Sequence, residues 1–231
     1  MITALHQVFG RKYIYIPPPN SKVLDLPLQN NFTDTTGINT IIAGGASNLP
    51  TFTLDGTEYA AVFNGSQSLK TDNLFNINSD KISISFWIKA STNGMIMELS
   101  ENLNLYPYNG FWIFIGNVAS TKLEFLNRNL AIAVNNIIVT NNSVIDNTWK
   151  HIVIVSDRGL GTSMSKMYVN NVLSFVQNQN SDINGNFIPK NLFIGQRGGS
   201  TGGFNGQLKF LKIFNYPLST TEITNLYNKI M

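Results

Sequence analysis

A surface that holds sugars needs flat aromatic rings and planar amides, because a pyranose offers C–H faces to a ring and hydroxyls to an amide. The sequence supplies both: Trp87, Trp112, Tyr106, Tyr108, Asn104, Asn109 and Arg197 fall near strand outer faces and in loops. For Trp87 and Trp112 two readings stand side by side, a ligand platform and a ring packed between a sheet and a covering loop. Catalytic candidates are sparse. The chain has 13 acidic residues, two histidines and no cysteine, which removes disulfides, thiolate metal sites and cysteine nucleophiles. Glu98 and Glu101 are the nearest pair of glutamates, but their odd spacing sends them to opposite faces of a strand. They read as solvated loop carboxylates rather than an acid–base pair. His6 and His151 have no acidic neighbour or nucleophile at a useful spacing, so His151 reads as structural. The expectation is a protein that is not an enzyme and needs no cofactor.

The rest of the chain says what must position these side chains. Of its 231 residues 43% are hydrophobic and 13% charged, with a net charge of +3. That is enough apolar material for one large domain. No Lys/Arg cluster points to nucleic acid, and no apolar run reaches the roughly 18–20 residues of a membrane span. The opening Met1–His6 lacks the basic and apolar regions of a secretory signal. Asparagine is abundant, about 32 residues, and suits turns better than helix interiors. The composition is that of an all-β fold.

Individual strands are legible. In Lys81–Lys89, Ile82, Ile84, Phe86 and Ile88 alternate with Ser83, Ser85, Trp87 and Lys89, so period two sends the first set inward and Trp87 outward. Phe111–Ile115 is apolar on both faces, and Trp149–Val155 is rich in β-branched residues. Lys166–Val169 and Val172–Phe175 flank Asn170-Asn171, a pair that tolerates the positive φ of a two-residue hairpin turn. Asn191–Gly195 and Gly206–Phe214 add two strands, with a Gly-rich loop between them. One short C-terminal helix is expected: Ser219 and Glu222 occupy the two positions of a capping box, and Leu218 with Ile223 forms a hydrophobic staple. Residues 1–22 read as an extended arm. Tyr13, Ile14, Tyr15 and Ile16 are β-prone, and Pro17–Pro19 cut them off from the strands that follow. Such a segment gains by pairing with the sheet edge of a partner protein, of another copy of the chain, or of its own domain.

The ordered set of motifs resembles the laminin-G-like, concanavalin A-like lectin and glucanase jelly rolls. The densest match runs through Leu192–Gly195, Phe204–Leu208, Ile213–Asn215, Leu218-Ser219 and Glu222–Tyr227. Upstream, Leu24–Leu26 with Asp34–Gly37, Ala61–Gly65, Ile84–Ile88, Trp149–Ile152 and Tyr168–Asn171 follow the family's order. The resemblance covers residues 23–231 and implies a jelly-roll sandwich of two packed antiparallel sheets. It also implies a structural role for His151. Relatives that cleave β-glucans carry two Glu and one Asp alternating along one strand face, an arrangement this chain lacks. Many relatives hold calcium at the sandwich rim; here Asp34 with backbone carbonyls would be the site, although Lys209 stands where relatives often have an acid.

Fold alone leaves function open. The expectation is a non-enzymatic recognition module on a virion surface, such as a phage decoration, fibre or tail component. Its partners are other assembly proteins, with a glycan as a further ligand, and residues 1–22 provide attachment. The alternatives are a glycan-binding domain of a secreted cell-surface protein and a polysaccharide-cleaving enzyme of the same fold.

Overall fold

Alternating apolar residues select the strands of this chain, and asparagines and glycines with positive φ end them. The computed structural model describes residues 16–44, 48–100, 110–128, 135–159, 164–178, 184–196 and 202–229. In chain order its elements are β1 (Lys22–Leu26), β2 (Ile41–Ala43), β3 (Thr51–Asp55), β4 (Glu58–Asn64), β5 (Leu69–Thr71), β6 (Lys81–Ala90), β7 (Gly94–Ser100) and β8 (Phe111–Ile115). There follow β9 (Leu123–Arg128), β10 (Asn135–Val139), β11 (Lys150–Asp157), β12 (Met164–Val169), β13 (Val172–Asn178), β14 (Asn191–Ile194), β15 (Asn205–Phe214) and α1 (Thr220–Tyr227).

The strands form two antiparallel sheets. One has the order β13-β12-β11-β6-β15-β4-β3, with β1 also on β15; the other runs β10-β9-β8-β7-β14-β5-β2. Neighbours far apart in sequence, such as β6 beside β15, are what a jelly roll requires. The core lies between the sheets. Ile82, Ile84, Phe86 and Ile88 of β6 face Ile113, Ile115 and Phe125 of the other sheet in one cluster, all essentially inaccessible to solvent. The hairpin turn at Asn170 and Asn171 has φ of 50° and 64°, the left-handed pair that its flanking strands need.

The helix forms as its termini dictate. Ser219 accepts from the Glu222 N–H and the Glu222 side chain accepts from the Ser219 N–H, so both satisfy donors that a helix start leaves free. Leu218, Ile223 and Leu226 then pack on Val153, Val155, Tyr168 and Phe214. This puts α1 on the outer face of the eight-stranded sheet.

Two features depart from simple alternation. Lys209 pairs with Trp87 and Lys212 with Ser85, so β15 carries one more residue than β6 between those pairs: a β-bulge. Within it Phe210 has φ +54°, a conformation uncommon for any residue other than glycine, asparagine or aspartate. The second departure corrects the reading of Glu98 as a solvated loop carboxylate. It sits in β7, fully buried, opposite Trp112. Within Gly94–Ser100 only this residue and Ser100 are polar, and the whole strand is buried, so packing on both faces decides where the carboxylate lies.

The proline run docks onto its own sandwich. The Pro17 carbonyl accepts from Asn78 Nδ2 at 3.0 Å and the Pro18 carbonyl from Asn215 Nδ2 at 2.7 Å. Asn215 Oδ1 also accepts the Ser21 N–H at 2.7 Å, leading the chain into β1. Ile16 is 70% exposed; Tyr13, Ile14 and Tyr15 lie outside the described residues.

Candidate ligand-binding cleft

Beside the C-terminal end of α1, the outer face of the eight-stranded sheet holds a cleft of about 220 Å³. Its floor is Ser85 of β6 and His151 of β11, its aromatic walls are Trp87 and Phe210, and its rim carries Lys212 and Lys229. Each arrives by a local rule. Period two along β6 sends Ser85 and Trp87 outward. The bulge in β15 re-aims Phe210, whose N–H donates to the Pro27 carbonyl at 3.1 Å. Lys229 follows the helix with φ 58°, which turns the chain back over the sheet.

The floor is dry. His151 is 1% exposed, its Nε2 lies 2.9 Å from Ser85 Oγ, and its ring centroid is 5.2 Å from that of Trp87. Burial lowers its pKa to about 4, so the imidazole is neutral at pH 7. A Ser–His contact invites comparison with a nucleophile and its base. The arrangement lacks the third member, since Nδ1 has no hydrogen-bond partner among the described residues. Among the described residues no carboxylate fixes the tautomer or supports an imidazolium, and so acidic an imidazolium leaves a weak base.

The rim is charged. The Lys229 ammonium reaches both Glu58 oxygens at 2.7 Å and stands 5.6 Å from the Trp87 ring centroid and 5.3 Å from that of Phe210. It therefore marks the space that the two rings flank, held there by a carboxylate and two π faces. Lys209 meets Glu58 Oε2 at 2.9 Å and Asp55 Oδ2 at 3.6 Å, over the Trp149 ring at 4.3 Å. Across the cleft Lys212 lies 3.4 Å from Asp25 Oδ2, the same oxygen that Lys22 holds at closer range. Burial pulls the Lys212 pKa down, and Asp25 partly restores it.

Of the residues singled out in the sequence, Trp87 lines this cleft, with one face stacked on Tyr227 at 5.7 Å and 14°. Trp112 lies on the other sheet, 4% exposed, packed with Met95 and Leu126; it is a covered ring and offers no platform. Asp34 is 5% exposed and its carboxylate is committed to its own loop. Oδ1 accepts the N–H groups of Asp25 and Thr36, and Oδ2 accepts from Thr36 Oγ1, the Asn39 N–H and Asn39 Nδ2. The more open hollow beside it, about 340 Å³, is thus bordered by a carboxylate already saturated with donors. Glu101, Asn104, Tyr106, Tyr108, Asn109, Arg197 and His6 lie outside the described residues.

Sequence reasoning missed Phe210, Lys212, Lys229 and Asp25. A signal for the first was present. Leu208, Leu211 and Ile213 all face the core, and the three-residue step from 208 to 211 breaks period two, as a bulge must.

Residues 63–224 match the family model described as the concanavalin A-like lectin/glucanases superfamily. The chain belongs to this superfamily. No curated protein matches the chain. Among solved structures, domain 4 of AbnA, a GH43 extracellular arabinanase from Geobacillus stearothermophilus in complex with arabinotriose, is 17% identical with a TM-score of 0.67. That match covers 91% of this chain and 100% of the other. The binding domain of Paraclostridial Mosquitocidal Protein 1 is 15% identical with a TM-score of 0.68, covering 91% of this chain and 52% of that one. The binding domain of botulinum neurotoxin DC in complex with SialylT is 18% identical with a TM-score of 0.66, covering 91% and 52%. The chain thus spans about half the length of the toxin binding domains and the whole of the arabinanase domain. At these identities the likeness is one of fold: this superfamily member has the sandwich that lectin-like domains use.

Proposed function

We propose that this domain is a non-catalytic recognition module that holds a saccharide in the cleft between Trp87 and Phe210. The observation that carries the reading is Phe210: a bulky aromatic kept at φ +54° so that its ring walls a cleft instead of filling the core. Left-handed backbone at such a residue costs about 1–2 kcal/mol, and strain of this kind collects where a site needs a side chain aimed. Rings beside ammonium and carboxylate groups match the alternating apolar and hydroxyl faces of a sugar. The arabinanase domain, which this chain covers end to end, was solved with arabinotriose, and that supports a glycan as the ligand class. The missing third member of the Ser85–His151 contact supports binding without turnover. Calorimetric titration of the full chain with a panel of oligosaccharides tests the reading. Binding that Phe210→Gly abolishes, without loss of the fold, is expected; binding that survives the substitution places the site elsewhere.

A finer reading concerns residues 1–22 as an attachment arm for a larger assembly, a virion surface or a cell surface. Its support is that Ile16 is 70% exposed immediately before prolines pinned to the sandwich, which suits a segment leaving the domain for a partner. Deleting residues 1–16 leaves those proline contacts in place. The truncated domain is expected to stay folded and to lose assembly; unchanged assembly refutes the arm as an anchor.

A further inference from the structure

The floor of the cleft narrows the ligand further, an inference that rests on the saccharide reading above. Ser83 and Ser85 lie on the same outward face of β6, but they spend their hydroxyls differently. Ser83 Oγ donates to the Tyr216 carbonyl at 2.8 Å and accepts the Leu218 N–H at 2.9 Å. Ser85 Oγ, buried at the cleft floor, has one partner among the described residues, His151 Nε2 at 2.9 Å. A hydroxyl offers one donor and two acceptor positions, so part of Ser85 is unspent.

The neutral imidazole decides which part. The His151 backbone is fixed on both sides, its N–H donating to Asn170 Oδ1 at 2.9 Å and its carbonyl accepting the Asn170 N–H at 2.8 Å. Its ring packs against Trp87 and Tyr227, with centroids at 5.2 and 5.8 Å. Nδ1 is buried and has no hydrogen-bond partner among the described residues. A neutral imidazole carries one N–H. On Nδ1 that proton is a buried donor with no acceptor, the rarer kind of defect. On Nε2 it meets Ser85 Oγ, which accepts it and keeps its own hydrogen.

We infer that Ser85 donates its hydroxyl hydrogen into the cleft and reads one oxygen of the bound sugar, with His151 in the Nε2–H tautomer as the positioning residue behind it. Nε2–H donates to Oγ and Oγ–H to the sugar oxygen, a chain in which each bond polarises the next. The same tautomer has no lone pair on Nε2 to take the Ser85 proton, so the pair reads a ligand and does not activate a nucleophile. A sugar lacking that oxygen leaves a buried donor unpaired, and the cleft discriminates against it.

Long-range proton–nitrogen spectra of the unliganded full chain read the tautomer. Protonation at Nε2 is expected; protonation at Nδ1 overturns the proposal. Titrations followed by amide shifts then use methyl β-galactoside, methyl β-glucoside and methyl α-arabinofuranoside, each with its singly deoxygenated counterparts. For a glycoside that perturbs Ser85–Trp87, one deoxy counterpart should bind about three- to tenfold more weakly, the scale of one net hydrogen bond. Ser85→Ala should erase that difference, with thermal melts checking the fold. The native chain gives a second readout with no substitution: the His151 Nε2–H resonance should shift with the parent glycoside and stay in place with the deoxy one. Glycosides that bind and are lost in Phe210→Gly, with no discrimination that Ser85→Ala removes and no shift at His151, overturn the Ser85 donor and leave the saccharide reading standing. Glycosides that leave the cleft amides unmoved overturn both.

Discussion

Replacing Phe210 by glycine and by alanine separates backbone strain from ring packing at the cleft. In a strand interior alanine is ordinarily the more stable of the two by roughly 0.5–1 kcal/mol, because glycine loses more backbone freedom on folding. At φ +54° the order inverts. Alanine keeps the left-handed penalty of about 1–2 kcal/mol, and glycine escapes it. The middle of the two ranges leaves glycine ahead by about 0.75 kcal/mol, which for a chain of this size corresponds to a melting temperature higher by roughly 1.5–3 °C. Both variants lose the half-buried ring and its contact with the Lys229 ammonium, so both should lose ligand binding to the same degree. Calorimetric melts give the stability order, and titration with the tightest oligosaccharide found for the native chain gives affinity. A Phe210→Ala protein as stable as Phe210→Gly, or more so, refutes the strain argument. A Phe210→Gly protein that binds normally refutes the aromatic wall.

Four further outcomes follow from the same geometry. His151 titrates near 4 when folded and near 6.5 when unfolded, so below 6.5 the unfolded chain binds more protons and stability falls as pH drops from 6.5 towards 4, by about 3 kcal/mol at most; denaturation at several pH values should show this slope, and His151→Gln should flatten it. Asp34→Ala should cost about 1–3 kcal/mol, because the backbone N–H groups of Asp25, Thr36 and Asn39 lose their acceptor, while added calcium or chelator should leave the melting temperature of the native chain unchanged. Glu58→Gln leaves Lys209, 6% exposed, with Asp55 at 3.6 Å, and should destabilise by about 1–3 kcal/mol in chemical denaturation. Ser219→Ala should cost about 1 kcal/mol through loss of the helix cap, read as a modest fall in melting temperature.

The sandwich was legible in this chain where one physical rule acted alone. Alternation placed Ile82, Ile84, Phe86 and Ile88 inward, Asn170-Asn171 marked a hairpin by tolerance of positive φ, and Ser219 with Glu222 marked a helix start by side-chain geometry. Each signal spans fewer than ten residues and owes nothing to distant partners. The cleft was legible only at Trp87, because its other parts meet through long-range pairing. Asp25 and Lys212 come together across the β1–β15 register, and Lys229 reaches Glu58 from the far end of the chain. Glu98 defeated local reading for a related reason: a carboxylate in an apolar segment reads as solvent-facing, whereas the burial of β7 on both faces is decided by neighbouring strands. Phe210 lies between these cases. Its phase break is local, but a bulge becomes evident only once Leu211 and Ile213 are known to share the core with Leu208.

The most direct test of the central claim is to map amide chemical shifts of the full chain during titration with a bound oligosaccharide. The account predicts perturbations at Ser85–Trp87, Lys209–Lys212 and Leu226–Lys229, the segments that enclose the cleft. Perturbations confined to Met95–Glu98, Trp112 and Glu124–Leu126 on the outer face of the other sheet would contradict it.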